Sequence, residues 1–298
     1  MASKEYYLLL EQLKKRPAST HLSLQEIRAN FEKFLATFPP DPDIKFDPFS
    51  IGSIPACWAL APNATKEKVI LFLHGGGFNA GSIQSHHALM GKISRASGYA
   101  VLGIGYRLAP EFPFPAALKD ALQSYQWLLD HSYLPSNIFF AGSSAGAGLV
   151  LSLCLKLKEI NQSQPAAAIC ICPMVDFTFS STSIESNKEK DWVRVDRLSS
   201  AARDYCKNEE PTNPLISPLF GNLQGLPPLL IQVGASEILR DEAIAVAKKA
   251  EANGVSVTLE VWPEMVHCWQ LFASKVPEGQ EAIDHISTFI TQFKKDNS

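Results

Sequence analysis

Ser144 lies between two glycines in Gly142-Ser143-Ser144-Ala145-Gly146, with an apolar run at residues 138–141 before it and a longer one at 145–160 after it. Gly-x-Ser-x-Gly at a strand-to-helix junction is the pattern of a serine held on a strained, sharp turn, where larger neighbours would clash. A serine hydroxyl is a poor nucleophile at neutral pH. It needs a base within hydrogen-bond reach and a further group to orient that base. The pattern therefore asks the rest of the chain for a histidine, a carboxylate and donors able to take up oxyanion charge.

The donors are suggested by His74-Gly75-Gly76-Gly77-Phe78, which follows the mostly apolar run 68–73. One glycine usually suffices for a tight turn. Consecutive glycines after a buried strand leave backbone N–H groups bare and fixed in place, as an oxyanion site requires. Site residues in open α/β sheets sit at the carboxyl ends of strands, which filters the histidines. His21 falls among the N-terminal helices, His285 within the last helix and His131 just after a helix. His86 and His87 lie just past the glycine loop, and His74, which leads it, is read as holding the loop in shape. His267 alone follows the final strand and can reach across to Ser144. For the acid, the loop after residues 229–233 offers Glu237, Asp241 and Glu242. Glu237 is nearest the strand end, whereas the other two fall in a first helical turn, where carboxylates commonly serve the helix dipole. Glu237 is preferred, with Asp241 as the alternative acid.

The elements that must position these groups follow from periodicity. Residues 1–45 read as two amphipathic helices interrupted at Pro17, the second opened by a Ser23–Glu26 capping box and ended by Pro39-Pro40-Asp41-Pro42. They suit either packing or part of a lid. Strands are expected over 49–60, 68–73, 99–104, 138–141, 167–172, 229–233 and 255–261. Helices are expected over 116–129, 145–160, 240–253 and 278–293. Alternation of this kind means a mostly parallel sheet with both faces covered. The rhythm breaks at about 177–218, where Ser/Thr runs, charges and a helix capped at Asp196 or Ser199 intervene. An insertion this long is more often functional than filler. Phe78, Trp192 and Tyr205 are aromatics placed to reach a pocket or to pack.

Composition sets the outer bounds. A chain of 298 residues, 46% hydrophobic with net charge −3, suits one large α/β domain and argues against a nucleic-acid or anionic-membrane partner. No run of about eighteen apolar residues and no apolar leader segment is seen, so stable membrane insertion is not expected. The six cysteines include no Cys-x-x-Cys pair and read as buried free thiols in a reducing compartment, hence a cytoplasmic location.

The chain resembles the hormone-sensitive-lipase-like family of α/β-hydrolases, in its bacterial esterase branch. The resemblance rests on His74-Gly75-Gly76-Gly77-Phe78, on Tyr106-Arg107-Leu108-Ala109-Pro110-Glu111 with Phe114-Pro115-Ala116-Ala117, and on Gly142-Ser143-Ser144-Ala145-Gly146. It continues in Ile238-Leu239-Arg240-Asp241-Glu242 and His267-Cys268-Trp269, and the order Ser144, Glu237, His267 is the family's own. It implies an eight-stranded α/β-hydrolase sheet, residues 46–298 as catalytic domain, and a cap built from residues 1–45 and the insertion at 177–218. It further implies hydrolysis of small, short-chain acyl esters through a covalent acyl-enzyme, with no metal or organic cofactor. Ser144 is then nucleophile, His267 base and Glu237 acid. Gly76, Gly77 and Ala145 give the oxyanion N–H donors, and His74 and Gly75 support them. Lactone, amide or thioester hydrolysis on the same triad is the nearest alternative; a non-catalytic small-molecule receptor is the rival from another class. A homodimer stays open. Two positions depart from the family pattern: Ser143 stands where an Asp is usual, and Ala147 where a glycine is.

Overall fold

In the computed structural model, residues 1–15 and 22–293 are described, so Pro17 and His21 lie outside the described residues. Ser3 opens helix α1 (Lys4–Lys14) by accepting the Tyr6 N–H, and Ser23 and Glu26 close a reciprocal capping box on α2 (Leu24–Leu35). The chain then forms an antiparallel hairpin of β1 (Lys45–Ile51) and β2 (Ile54–Leu60). The single strand expected over 49–60 is therefore two. Gly52, at φ 59°, makes the two-residue turn that apolar patterning alone does not reveal.

After β3 (Thr65–Leu73) comes α3 (His87–Ser97), a helix the periodicity did not announce. Its buried face carries Gly91, Ser94 and Ser97 among Leu89, Met90 and Ile93, which blurs the apolar stripe. Gly91 is small for a reason: a Cβ there would lie 3.0 Å from Ile44. There follow β4 (Tyr99–Ile104), α4 (Ala116–Asp130), β5 (Ile138–Ser143), α5 (Ala145–Glu159) and β6 (Ala167–Ile171). The long connection after β6 holds α6 (Thr182–Ser186) and α7 (Val195–Cys206). Neither Asp196 nor Ser199 caps α7. The capping position is Arg194, whose backbone is extended, and Asp196 sits in the first turn, where its charge suits the helix dipole. The chain closes with β7 (Leu229–Gly234), α8 (Arg240–Ala252), β8 (Val257–Trp262) and α9 (Pro277–Thr291).

Among the described residues the strands form one eight-stranded sheet in the order β1-β2-β4-β3-β5-β6-β7-β8. Only the pairings of β2 with β1 and with β4 are antiparallel. Helices α4, α5 and α8 cover one face, and α3, α9 and α1 the other. The central strands read as unbroken apolar runs because both faces are covered: every residue of β4, β5, β6 and β7 is buried. Full burial of each Leu, Ile or Phe in them contributes roughly 1.5–3 kcal/mol. That rigid slab fixes the carboxyl ends of β3, β5, β7 and β8, after which the candidate site residues come. Among the described residues no helix is long and apolar enough to cross a membrane.

Candidate active site

At the end of β5, Ser144 takes φ 54°, ψ −121°, a backbone position that non-glycine residues rarely adopt. The surrounding turn over-determines it. The Ser144 N–H donates to Ile171 O, and its carbonyl accepts the N–H groups of Ala147, Gly148 and Met174. The flanking glycines are required by close approach: a Cβ on Gly142 would lie 2.4 Å from Gly146 O, and one on Gly146 would lie 2.0 Å from Leu73 O. Ala147 is fully buried without conflict, and the tight contact falls one residue later, where a Cβ on Gly148 would meet Met174 O at 2.0 Å. Ser143 is also fully buried, and among the described residues its Oγ has no hydrogen-bond partner.

Opposite the elbow, the glycine loop is shaped by contacts on both sides. Gly76 and Gly77 have φ 124° and 66°. The Gly75 N–H donates to His86 Nε2 at 3.0 Å, so the His86 proton resides on Nδ1 and is shared with Ser82 O at 3.1 Å. Tyr106 Oη donates to His74 O at 2.7 Å, and the two rings stack at 4.1 Å. Burial presses the pKa of His74 down to about 4 and that of His86 to about 3, so both rings are neutral at neutral pH. His74 Nδ1 lies 2.9 Å from Gly75 O, within the loop. His86 holds the loop through Gly75, and no local sequence signal marked it, because its partner is a backbone N–H eleven residues earlier. Among the described residues the N–H groups of Gly76, Gly77 and Ala145 have no protein acceptor.

Glu237 and His267 meet as the carboxyl ends of β7 and β8 bring them together. Glu237 Oε1 lies 3.2 Å from His267 Nδ1, and Oε2 accepts the Gly234 N–H at 2.8 Å. Asp241 is engaged elsewhere, accepting from Thr182 Oγ1 at 2.6 Å and from the Ser183 N–H at 2.9 Å. Glu242 does more than serve a helix dipole. It is fully buried, Oε1 accepts the N–H groups of Val175 and Asp176, and burial drives its proton affinity well up. His267 Nε2 lies 3.4 Å from Cys268 Sγ, and among the described residues no hydrogen bond yet joins it to Ser144 Oγ. Catalytic contacts of this kind often tighten only with substrate in place. Burial works against a charge on the His267 ring, but the neighbouring Cys268 and Glu237 outweigh it and raise its proton affinity. Burial likewise opposes ionisation of Cys268, yet Cys172 and His267 bring its pKa down to about 7.

Two further residues steady this pair, both from the connection after β6. Asp191, buried beside the cavity, accepts the His267 N–H with Oδ1 at 3.1 Å and the Ile238 N–H with Oδ2 at 2.9 Å. Burial raises its pKa to about 6. Trp192 Nε1 donates to His267 O at 2.7 Å. In sequence Asp191 ends a charged run, Lys188-Glu189-Lys190-Asp191, which reads as a solvated stretch, so nothing local distinguishes it.

Ser144 and His267 open into a cavity of about 640 Å³ walled by the glycine loop, α2, α7 and Trp192. Phe31, Phe34, Ile27 and Leu198 give it an apolar lining. Of the three aromatics considered from sequence, only Trp192 lines it. Phe78 and Tyr205 stack on each other at 3.8 Å behind the loop and are buried. The helix α2 is moored over the site by Arg28, which donates to Asn79 O and Ala109 O and pairs with Glu111 at 2.7 Å. A strained serine, a carboxylate-oriented imidazole and bare N–H donors around one apolar cavity can carry out nucleophilic acyl transfer.

Comparison with known proteins shows the family and the fold. The sequence profile of the α/β-hydrolase fold matches residues 70–271. An acetyl-hydrolase of Streptomyces hygroscopicus is 40% identical over 246 residues, covering 82% of each chain. An esterase of Acinetobacter venetianus is 31% identical over 297 residues, covering 98% of each. The crystal structure of an esterase from the bacterial hormone-sensitive lipase family superposes with a TM-score of 0.95 at 40% identity, covering 99% of this chain and all of that one.

Proposed function

Because this chain belongs to the hormone-sensitive-lipase-like family of α/β-hydrolases, we propose that it is a serine carboxylesterase acting through Ser144, His267 and Glu237 on short-chain acyl esters. The observation that carries the reading is the Glu237–His267 contact at 3.2 Å, with His267 in the same cavity wall as a serine forced to φ 54°. With Nδ1–H held by Glu237, Nε2 keeps a free lone pair and can take the Ser144 proton as Oγ attacks the ester carbonyl. The carbonyl oxygen gains the negative charge, and the N–H groups of Gly76, Gly77 and Ala145 stabilise it. Collapse expels the alcohol, which leaves with the proton from His267 and leaves the acyl group on Ser144 Oγ. Water then loses its proton to His267 as it attacks the acyl-enzyme, releasing the carboxylic acid and restoring the serine.

Short acyl groups are favoured because rings of Phe31, Phe34 and Trp192 border the cavity, and one relative is named for acetyl hydrolysis. The helices α1 and α2 and the connection after β6 act as the cap. The test is hydrolysis of p-nitrophenyl acetate, butyrate and decanoate by the native protein and Ser144→Ala, with fluorophosphonate labelling. The reading requires labelling at Ser144, a rate that falls with chain length, and loss of essentially all activity in the variant. Retained activity in Ser144→Ala, or an adduct at another residue, overturns it.

A further inference from the structure

Cys172 and Cys268 are not used by this mechanism, yet they stand against its base. The sulfur atoms of both and a ring nitrogen of His267 all lie within 4.8 Å of one another, and all three residues are buried. Cys268 Sγ is 3.4 Å from His267 Nε2, and Cys172 Sγ accepts the Cys268 N–H at 3.2 Å. Both cysteines are held in the left-handed region, at φ 49° and 50°, where a non-glycine side chain is uncommon. The end of β6 and the loop after β8 thus turn their thiols into one spot at some conformational cost.

We propose that Cys172, Cys268 and His267 Nε2 form a binding site for a thiophilic divalent metal ion such as zinc, which shuts off the base while bound. Two sulfurs and one imidazole are a familiar soft donor set for a tetrahedral ion, with a fourth position left for solvent. The second ring nitrogen already bonds Glu237, the carboxylate–histidine pairing that orients an imidazole toward a metal. Donating Nδ1–H to Glu237 leaves the Nε2 lone pair for the ion, the same tautomer that proton abstraction from Ser144 needs. Base and ligand are therefore mutually exclusive roles of one atom. Binding forms two metal–thiolate bonds and one metal–nitrogen bond, and the two thiol protons pass to solvent. The ion enters through the cavity, which Cys268 and His267 line. Binding itself does not depend on the esterase reading; only its inhibitory consequence rests on that reading.

Cobalt(II) serves as the spectroscopic probe, titrated into the full chain with a phosphine reductant present. One ion per chain with a thiolate-to-cobalt charge-transfer band is expected, displaced by zinc. Cys172→Ala and Cys268→Gly should each lose or markedly weaken the band. Glycine is chosen at 268 because it takes φ 50° without a Cβ penalty, which preserves the loop. Glu237→Gln should weaken cobalt affinity roughly 10–100-fold through the lost support of His267. Ser144→Ala should keep the band unchanged, so a failure of the serine assignment cannot be mistaken for a failure of the metal site. The ratio of ester hydrolysis with zinc to that with a chelator, taken for each protein against itself, should be low in the native chain and near one in the two cysteine variants. No thiolate band at stoichiometric cobalt, or a band that survives undiminished in both cysteine variants, overturns the inference.

Discussion

The carboxylate of Asp191 accepts the backbone N–H of His267 at 3.1 Å while its other oxygen accepts the Ile238 N–H, next to Glu237, at 2.9 Å. One buried side chain from the connection after β6 thus ties the loop of the proposed base to the loop of the proposed acid.

Removing that tie should disturb both loops together. Asp191→Ala leaves two buried N–H groups without their acceptor, at a cost of about 1–3 kcal/mol each. Urea unfolding should report the lost stability, and kcat should fall more than KM rises. Asp191→Asn keeps one acceptor oxygen and should recover part of both. An alanine variant with native kcat would remove Asp191 from the positioning of His267.

Glu237 and Asp241 are separable by substitution. Glu237→Gln replaces the acceptor of His267 Nδ1–H with a group that can favour the wrong tautomer, and kcat should drop by roughly 10⁴-fold, the scale seen for the analogous change in serine proteases. Asp241→Asn weakens the hold on Thr182 and Ser183 and should leave kcat within a few-fold of native. The reverse ranking would make Asp241 the acid.

The glycine loop should fail in acid. His74 and His86 are neutral in the fold, with pKa values of about 4 and about 3, against an ordinary value near 6.5. The unfolded chain therefore binds more protons below about pH 6.5, and stability rises with pH across that window. The contribution is complete above about pH 6.5 and is lost as pH falls through the folded values, each tenfold difference in proton affinity being worth about 1.4 kcal/mol. His86 must also lose its Gly75 contact once Nε2 is protonated. Thermal unfolding between pH 7 and 4 checks this: the midpoint should fall steadily, and His86→Gln should flatten the dependence.

Cavity length should be tunable at α2. Phe34 lines the cavity and packs on Trp192 at 5.8 Å and on Phe272 at 6.0 Å. Phe34→Ala should raise kcat/KM for decanoate relative to acetate. It should also cost stability, about 3 kcal/mol at most for a ring that is only partly buried. An unchanged acyl preference would place the acyl chain elsewhere.

Ser143 offers a simple gain. Its hydroxyl is buried without a partner among the described residues, and Ser143→Ala removes a polar group whose desolvation goes uncompensated. The variant should be as stable as the native chain or more so by about 1 kcal/mol, measured by denaturant midpoint. A clear loss of stability would mean that the hydroxyl finds a partner.

The amino-acid sequence by itself determined the sheet class, the elbow at Ser144, the glycine loop and the strand ends that carry Glu237 and His267. These are local matters. Buried parallel strands must be continuously apolar, a strained turn must admit small residues at Gly142 and Gly146, and a capping box is written within a few residues. It also ranked Glu237 ahead of Asp241 from proximity to a strand end. The tertiary structure decided what depends on distant backbone. Asp191 looks like part of a solvated charge run until His267, 76 positions away, offers it a buried N–H. His86 gains its role only when the loop folds back over it, and Cys172 and Cys268 become neighbours across 96 residues. Helix α3 stayed hidden because Gly91 and Ser94, which fit against Ile44 and Ala61, and Ser97 interrupt the apolar stripe of Leu89, Met90 and Ile93 on its buried face. A polar side chain's task is set by the partner that satisfies it, and in a sheet whose strands are out of sequence order, that partner is seldom nearby in the chain.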